Sequence, residues 1–245
     1  VFGREGIEGG ESLSASLPDT LEHVRDMRDI LVDRVLGHTT DQMGDEFMDG
    51  YARFIEPGVL QVGEDTIHAA SVVTACGTRP AVPPAWVDFG ERILTSDTIF
   101  EQEDLPDAIA VVGLGVIGLE IGQALAHLGV SVTGIDMLDT IAGLRDPDAR
   151  RSAIELMERA FPIWLGHEVE LFEDEGRIRV SAGEQAVVVD KVLAAMGRQS
   201  NLDWLAIENA GIELDARGVP VFDKNTMRCG DSRVFIAGDI SGSDQ

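Results

Sequence analysis

Lysine is almost missing. Lys191 and Lys224 are the only two in 245 residues, and 44 Asp and Glu stand against 19 Lys and Arg. The formal net charge of −25 leaves no basic face to displace phosphate counterions, so nucleic acid is set aside as a partner. Few lysines and many acids on an ordinary 44% hydrophobic content suggest work at high salt, where screening quiets self-repulsion. A merely acidic cytosolic protein is the plainer alternative. Cysteine is scarce too. Cys76 and Cys229 form no C-x-x-C or C-x-x-x-x-C pair, and neither joins the five histidines in a metal-ligand spacing. Both are expected to be reduced structural thiols, and no metal site is expected. No run of 18 apolar residues exists, which excludes a membrane-spanning helix. The opening VFGREGIEGGES lacks the apolar core of a secretory signal, so the expected compartment is the cytoplasm.

What is present centres on AIAVVGLGVIGLEIGQALAHLGVSVTGID, residues 108–136. Ile109 to Val112 reads as a buried parallel strand. Gly113, Gly115 and Gly118 follow in G-x-G-x-x-G spacing, and Ile117, Ile121, Leu125 and Leu128 then recur at helical intervals. Gly129 ends the helix, and a second strand carries Asp136 at its tip. Gly113 permits a tight turn, Gly115 lets backbone approach a pyrophosphate, and Gly118 lets the helix pack on its strand. The helix start at Val116 and Ile117 offers free N–H groups and a positive dipole end. Asp136, about 20 residues on, can accept from both ribose hydroxyls. Its charge would repel a 2′-phosphate, so NAD is favoured over NADP. A glycine-rich turn without a ligand is the alternative.

Around this unit the length allows one large or two medium domains. Residues 17–36 read as a helix whose stripe of Leu21, Val24, Arg28, Leu31 and Val35 should bury against a sheet or a partner. From Tyr51 short strands alternate with turns, and Ser71 to Ala75 reads as a more buried strand. PAVPPAW at 80–86 reads as a crossover or linker, residues 97–106 as a short helix, and Pro147 to Ala160 as another. Residues 163–194 read as strands, two of them alternating as in a meander. Ala195-Met196-Gly197-Arg198 ends them and echoes Ala75-Cys76-Gly77-Thr78-Arg79. A short helix and turn over 201–214, a strand-like Val219 to Phe222, and a buried strand Val234 to Ala237 capped by Gly238 and Asp239 complete the chain.

Four motifs in order, TACGTRP at 74–80, GLGVIGLE at 113–120, LAAMGRQSN at 193–201 and TMRCGDSRVFIAGD at 226–239, resemble the pyridine nucleotide–disulfide oxidoreductases, most of all their dihydrolipoamide dehydrogenase branch. The resemblance spans essentially residues 12–245. It implies an α/β fold: a Rossmann-like NAD-binding domain, 81–200, inserted into a partial FAD-binding domain of the same class, 1–80 and 201–245, with a small antiparallel β meander. It assigns NAD to Gly113, Gly115, Val116, Ile117, Gly118, Asp136 and Gly197. FAD falls to Cys76, Gly77 and Thr78, to Asp239 on the ribityl chain, and to Ala52 at the adenine end. Cys76 and Met196 stand where the family has Thr, so backbone contacts at Gly77 and Gly197 are expected to survive. Glu120 matches a glutamate at the flavin–nicotinamide contact. The implied activity is hydride transfer between NAD(H) and FAD, with electrons passing to or from a small or lipoyl-type dithiol/disulfide. The family's first FAD motif, its redox C-x-x-x-x-C and its C-terminal dimer domain have no counterpart here. The expectation is therefore the middle of a longer homodimeric enzyme, inactive alone and weak in FAD. A transhydrogenase- or NADH oxidase-like flavin reductase and a non-catalytic NAD-binding module are the alternatives.

Overall fold

In a computed structural model, which describes residues 17–216 and 218–241, the chain begins with helix α1 (Leu17–His38) and a single turn, α2 (Thr40–Met43). Strands β1 (Ala52–Glu56), β2 (Val59–Val62), β3 (Asp65–His68), β4 (Val72–Thr74), β5 (Thr78–Pro80) and β6 (Ile93–Leu94) follow. Next come β7 (Ala108–Val112), α3 (Val116–His127), β8 (Ser131–Asp136), α4 (Pro147–Met157) and β9 (Ile163–Leu165). The rest is β10 (Val169–Asp174), β11 (Arg177–Ala182), β12 (Gln185–Val189), β13 (Lys191–Ala194), β14 (Arg198–Ser200) and β15 (Val234–Ile236). Two compact units result. One holds the described part of Val1–Asp33 with Pro80–Gly197, and the other holds Arg34–Arg79 with the described part of Arg198–Gln245.

The first unit is built on a five-stranded parallel sheet in the order β6-β13-β7-β8-β9. Its central strand β7 is apolar throughout because both faces are covered. Ile109 and Val111 face a core with Leu119 and Leu125 of α3, Phe161 and, less deeply, Ala153, Ile154 and Met157 of α4. Ala110 and Val112 face the opposite core with Trp86, Ile178, Val180, Ala182 and Val189. The antiparallel sheet β10-β11-β12 thus covers the side that a second helix layer occupies in a fully doubly wound fold.

Local chemistry explains where these elements differ from the sequence expectations. Helix α4 starts on Asp146, whose carboxylate accepts from the Asp148 and Ala149 N–H groups at 3.0 and 2.8 Å with Pro147 at the first position. It ends at Met157 rather than Ala160. Residues 97–106 form no full helix: a 3-10 turn covers Ile99–Glu101, while the Thr98 hydroxyl accepts from the Thr95 N–H. PAVPPAW is more than a crossover, since Pro84–Arg92 coils into 3-10 turns that seat Trp86 in the second core. Within the described chain the α1 stripe is buried only at its start. Leu21 is buried, but Leu31 and Val35 are 55% and 60% exposed. Arg25 donates to the Phe100 and Gln102 carbonyls and Arg28 pairs with Glu101, so polar contacts support the helix where its apolar stripe does not.

In the second unit β1-β2-β3 form an antiparallel meander and β15 pairs in parallel with β4. Their core joins Phe54, Leu202, Ile207, Cys229, Val234, Ile236 and Ile240. The expectation of a buried strand at Ser71 to Ala75 holds only in part: Thr74 is buried but Val73 is 65% exposed. Val219 to Phe222 forms no ladder and contributes an isolated bridge, Leu214 to Pro220. Residues 201–214 hold two 3-10 turns, Asn201–Leu205 and Ile207–Ala210, in place of a helix. No described helix is long and apolar enough to cross a membrane.

Candidate functional site

In the first unit the chain leaves β7 through Gly113 at φ 95°, a left-handed conformation that suits glycine. A Cβ there would lie 2.4 Å from the Ala195 carbonyl oxygen, so the turn presses against the end of β13. A Cβ on Gly118 would lie 1.9 Å from the Gly113 carbonyl oxygen, which locks helix to turn. Gly115 differs. Its φ of −67° is open to any residue, and a Cβ there meets nothing within 4 Å. Its lack of a side chain therefore serves the open space in front of it.

Helix α3 starts at this space without a side-chain cap, and its first intrahelical bond is Leu119 N–H to the Gly115 carbonyl at 3.0 Å. The N–H groups of Val116, Ile117 and Gly118 precede that bond, and such free donors at the positive end of a helix dipole favour an anion. Gly115, Val116 and Ile117 are exposed, and Glu120 is exposed on the same helix. Asp136 ends β8, the strand next to β7. Its Oδ2 accepts from the Leu114 N–H at 2.6 Å and its Oδ1 from the Leu138 N–H at 2.8 Å. Gly197, at φ 114°, follows β13. The C-terminal ends of β7, β8 and β13 thus gather Gly113, Gly115, Val116, Ile117, Gly118, Asp136 and Gly197, where open α/β sheets bind nucleotides. The uncapped donors, the open side of Gly115 and the carboxylate fit a dinucleotide.

In the second unit the turn Cys76-Gly77-Thr78 follows β4, and Asp239 is exposed in the 3-10 turn Gly238–Ser241 after β15. The two strand ends are joined by Ala237 N–H to the Thr74 carbonyl at 2.9 Å. Ala52 is half-buried on β1. One organiser of this region was not among the residues singled out in the sequence. Asn201 donates its N–H to the Gly77 carbonyl at 3.1 Å and its Nδ2 to the Cys76 carbonyl at 2.9 Å. Arg79 holds the Asn201 Oδ1 at 3.0 Å, grips Asp203 through two bonds of 2.9 and 2.6 Å, and lies 4.9 Å over the Trp204 ring. Arg198 donates to the Thr78 hydroxyl and carbonyl at 2.7 and 2.8 Å. The bond to Arg79 holds the Asp203 carboxyl below its ordinary range. The only sequence signal for Asn201 was its place at the end of LAAMGRQSN.

Both cysteines are free, Cys76 half-buried and Cys229 buried. Burial pushes both thiols up from the ordinary cysteine value, away from the thiolate that disulfide exchange needs. Among the described residues no cluster of three His, Cys, Asp or Glu could hold a metal ion.

A sequence model of the pyridine nucleotide-disulphide oxidoreductases matches residues 9–245. The chain is 34% identical over 188 residues to dihydrolipoyl dehydrogenase from Chlamydia pneumoniae, covering 75% of this chain and 40% of that one. It is 31% identical over 214 residues to dihydrolipoyl dehydrogenase 2 of Haloarcula marismortui, covering 81% and 45%. A soluble pyridine nucleotide transhydrogenase of Mycobacterium tuberculosis is 31% identical over 203 residues, covering 79% and 43%. Among solved structures, a copper(II) complex of a mutant HOCl-induced flavoprotein disulfide reductase from Escherichia coli superposes with a TM-score of 0.83 at 25% identity, covering 97% of this chain and 55% of the other. The chain spans less than half the length of these curated relatives. It belongs to the pyridine nucleotide–disulphide oxidoreductase family.

Proposed function

We propose that this chain is the nucleotide-handling part of an NAD-dependent flavoprotein of the dihydrolipoyl dehydrogenase kind. The observation that carries the reading is the uncapped start of α3 beside the open space at Gly115, with Asp136 one strand away. The backbone donors of Val116, Ile117 and Gly118 hold the NAD pyrophosphate, while Asp136 accepts from the adenosine ribose and repels a 2′-phosphate. Gly197 lies beside the same nucleotide. FAD is assigned to Cys76, Gly77, Thr78, Asp239 and Ala52, and Glu120 to the hydride-transfer contact. The flavin, when bound, supplies the two-electron step between nicotinamide and a dithiol/disulfide. The chain's own part is to fix the nucleotides through backbone groups and the carboxylates of Asp136 and Asp239.

Support for a lipoyl-type disulfide comes from the dihydrolipoyl dehydrogenase relatives. The transhydrogenase relative of similar identity supports a second reading, in which electrons pass between nicotinamides alone. A cytoplasmic homodimer is the proposed setting of the whole protein. Titration of the purified chain with NADH and NADPH, followed by nicotinamide fluorescence, tests the binding. Saturable NADH binding with weaker NADPH binding is expected. Equal or absent binding of both removes the reading.

A further inference from the structure

Leu114, between the first two glycines of the turn, is held at every point. Its side chain is buried in the same core as Ile141. Its carbonyl accepts from the Ala142 N–H at 2.8 Å. Its N–H donates to Asp136 Oδ2 at 2.6 Å, a charge-assisted bond reaching 22 residues along the chain. The other Asp136 oxygen takes the Leu138 N–H at 2.8 Å, so the carboxylate ties the glycine-rich turn to the loop leaving β8. A carboxylate has about four lone-pair sites, so these two bonds leave acceptor capacity for a ligand.

We infer that Asp136 is a positioning residue for the phosphate-cradling turn, in addition to any bond it makes to ribose. The inference rests on the dinucleotide reading of the site and deepens it. Without Asp136 the Leu114 N–H has no acceptor and the segment leading into Gly115 and α3 is freed. The uncapped helix donors then lose their fixed aim, and preorganisation is what gives a backbone anion site its strength. The two roles predict opposite signs for a ligand without ribose hydroxyls. If Asp136 only accepts from ribose, removing its negative charge leaves diphosphate binding unchanged or tighter. If it braces the turn, binding weakens in spite of the relieved repulsion.

The probe is 2′,3′-dideoxyadenosine diphosphate, compared with ADP as a competitor of NADH fluorescence on the wild type, Asp136→Ala and Asp136→Asn, each checked by thermal melting. The brace predicts that Asp136→Ala weakens the dideoxy ligand about tenfold. Asp136→Asn, which keeps one acceptor oxygen for Leu114, should fall between Ala and the wild type. Dideoxy binding equal to or tighter than wild type in either variant overturns the inference. If Asp136→Ala does not fold, the Asn variant decides by the same comparison. Absence of NADH and ADP binding by the wild type itself refutes the dinucleotide reading instead, so the two failures are distinct.

Discussion

Gly118 lies so close beneath Gly113 that a Cβ on it would stand 1.9 Å from the Gly113 carbonyl oxygen. That oxygen is backbone, in a turn pinned through Leu114, and has little freedom to yield. Gly118→Ala should therefore lose about 3 kcal/mol of stability or more, read by urea denaturation. A loss below about 1 kcal/mol would show that the turn is softer than its contacts imply.

Asn201 satisfies two carbonyls of the turn Cys76-Gly77-Thr78. Asn201→Ala removes the Nδ2 bond to Cys76 and releases Arg79 from the Asn201 side chain. The variant should label Cys76 with a thiol reagent about tenfold faster, while Cys229 stays slow in the core. Unchanged labelling of Cys76 would show that the turn holds without Asn201.

The Arg79–Asp203 pair should weaken in acid. Asp203 is lowered in the folded chain by its bond to Arg79, so its contribution is complete above the unfolded carboxylate value of about 4. It is lost as pH falls through the lower folded value. Arg79 sits over the exposed Trp204, which makes the indole a reporter. Wild-type fluorescence, corrected with Trp204→Phe, should change below about pH 4. Asp203→Asn should be flat over that range; a transition surviving in it would assign the change elsewhere.

Salt should stabilise the chain. Its ion pairs, such as Arg150–Asp139 at 3.1 Å, sit at the surface, where each is worth about 0–1 kcal/mol. Self-repulsion from a net charge of −25 acts on the whole chain. Screening removes both, and the larger is the repulsion. The melting temperature should rise on the order of 5 °C between low and molar potassium chloride. A fall would mean that the local pairs outweigh the net charge.

The strand–turn–helix–strand unit was legible because its signals are local. Glycine spacing, helical recurrence and the acid at a strand tip all fall within residues 108–136. The contacts that hold it were not. Phe161 packs against Gly134, where a Cβ would lie 2.7 Å from its ring, and no periodicity announces that fit. Asn201 meets Cys76 across 125 residues for the same reason. The α1 stripe marks a different gap between sequence and structure. Periodicity shows that a helix has an apolar face but not that the described chain supplies a surface for it, and Leu31 and Val35 remain exposed.

The central claim is that the open face of Gly115 is where a dinucleotide's phosphates lie. Gly115→Ala tests it most directly, because the backbone at φ −67° accepts alanine and the methyl meets no protein atom within 4 Å. Melting temperature and NADH affinity should be measured together on this variant and the wild type. An unchanged melting temperature with NADH binding weakened at least about tenfold is the predicted result. An unchanged melting temperature with unchanged NADH affinity would contradict the account.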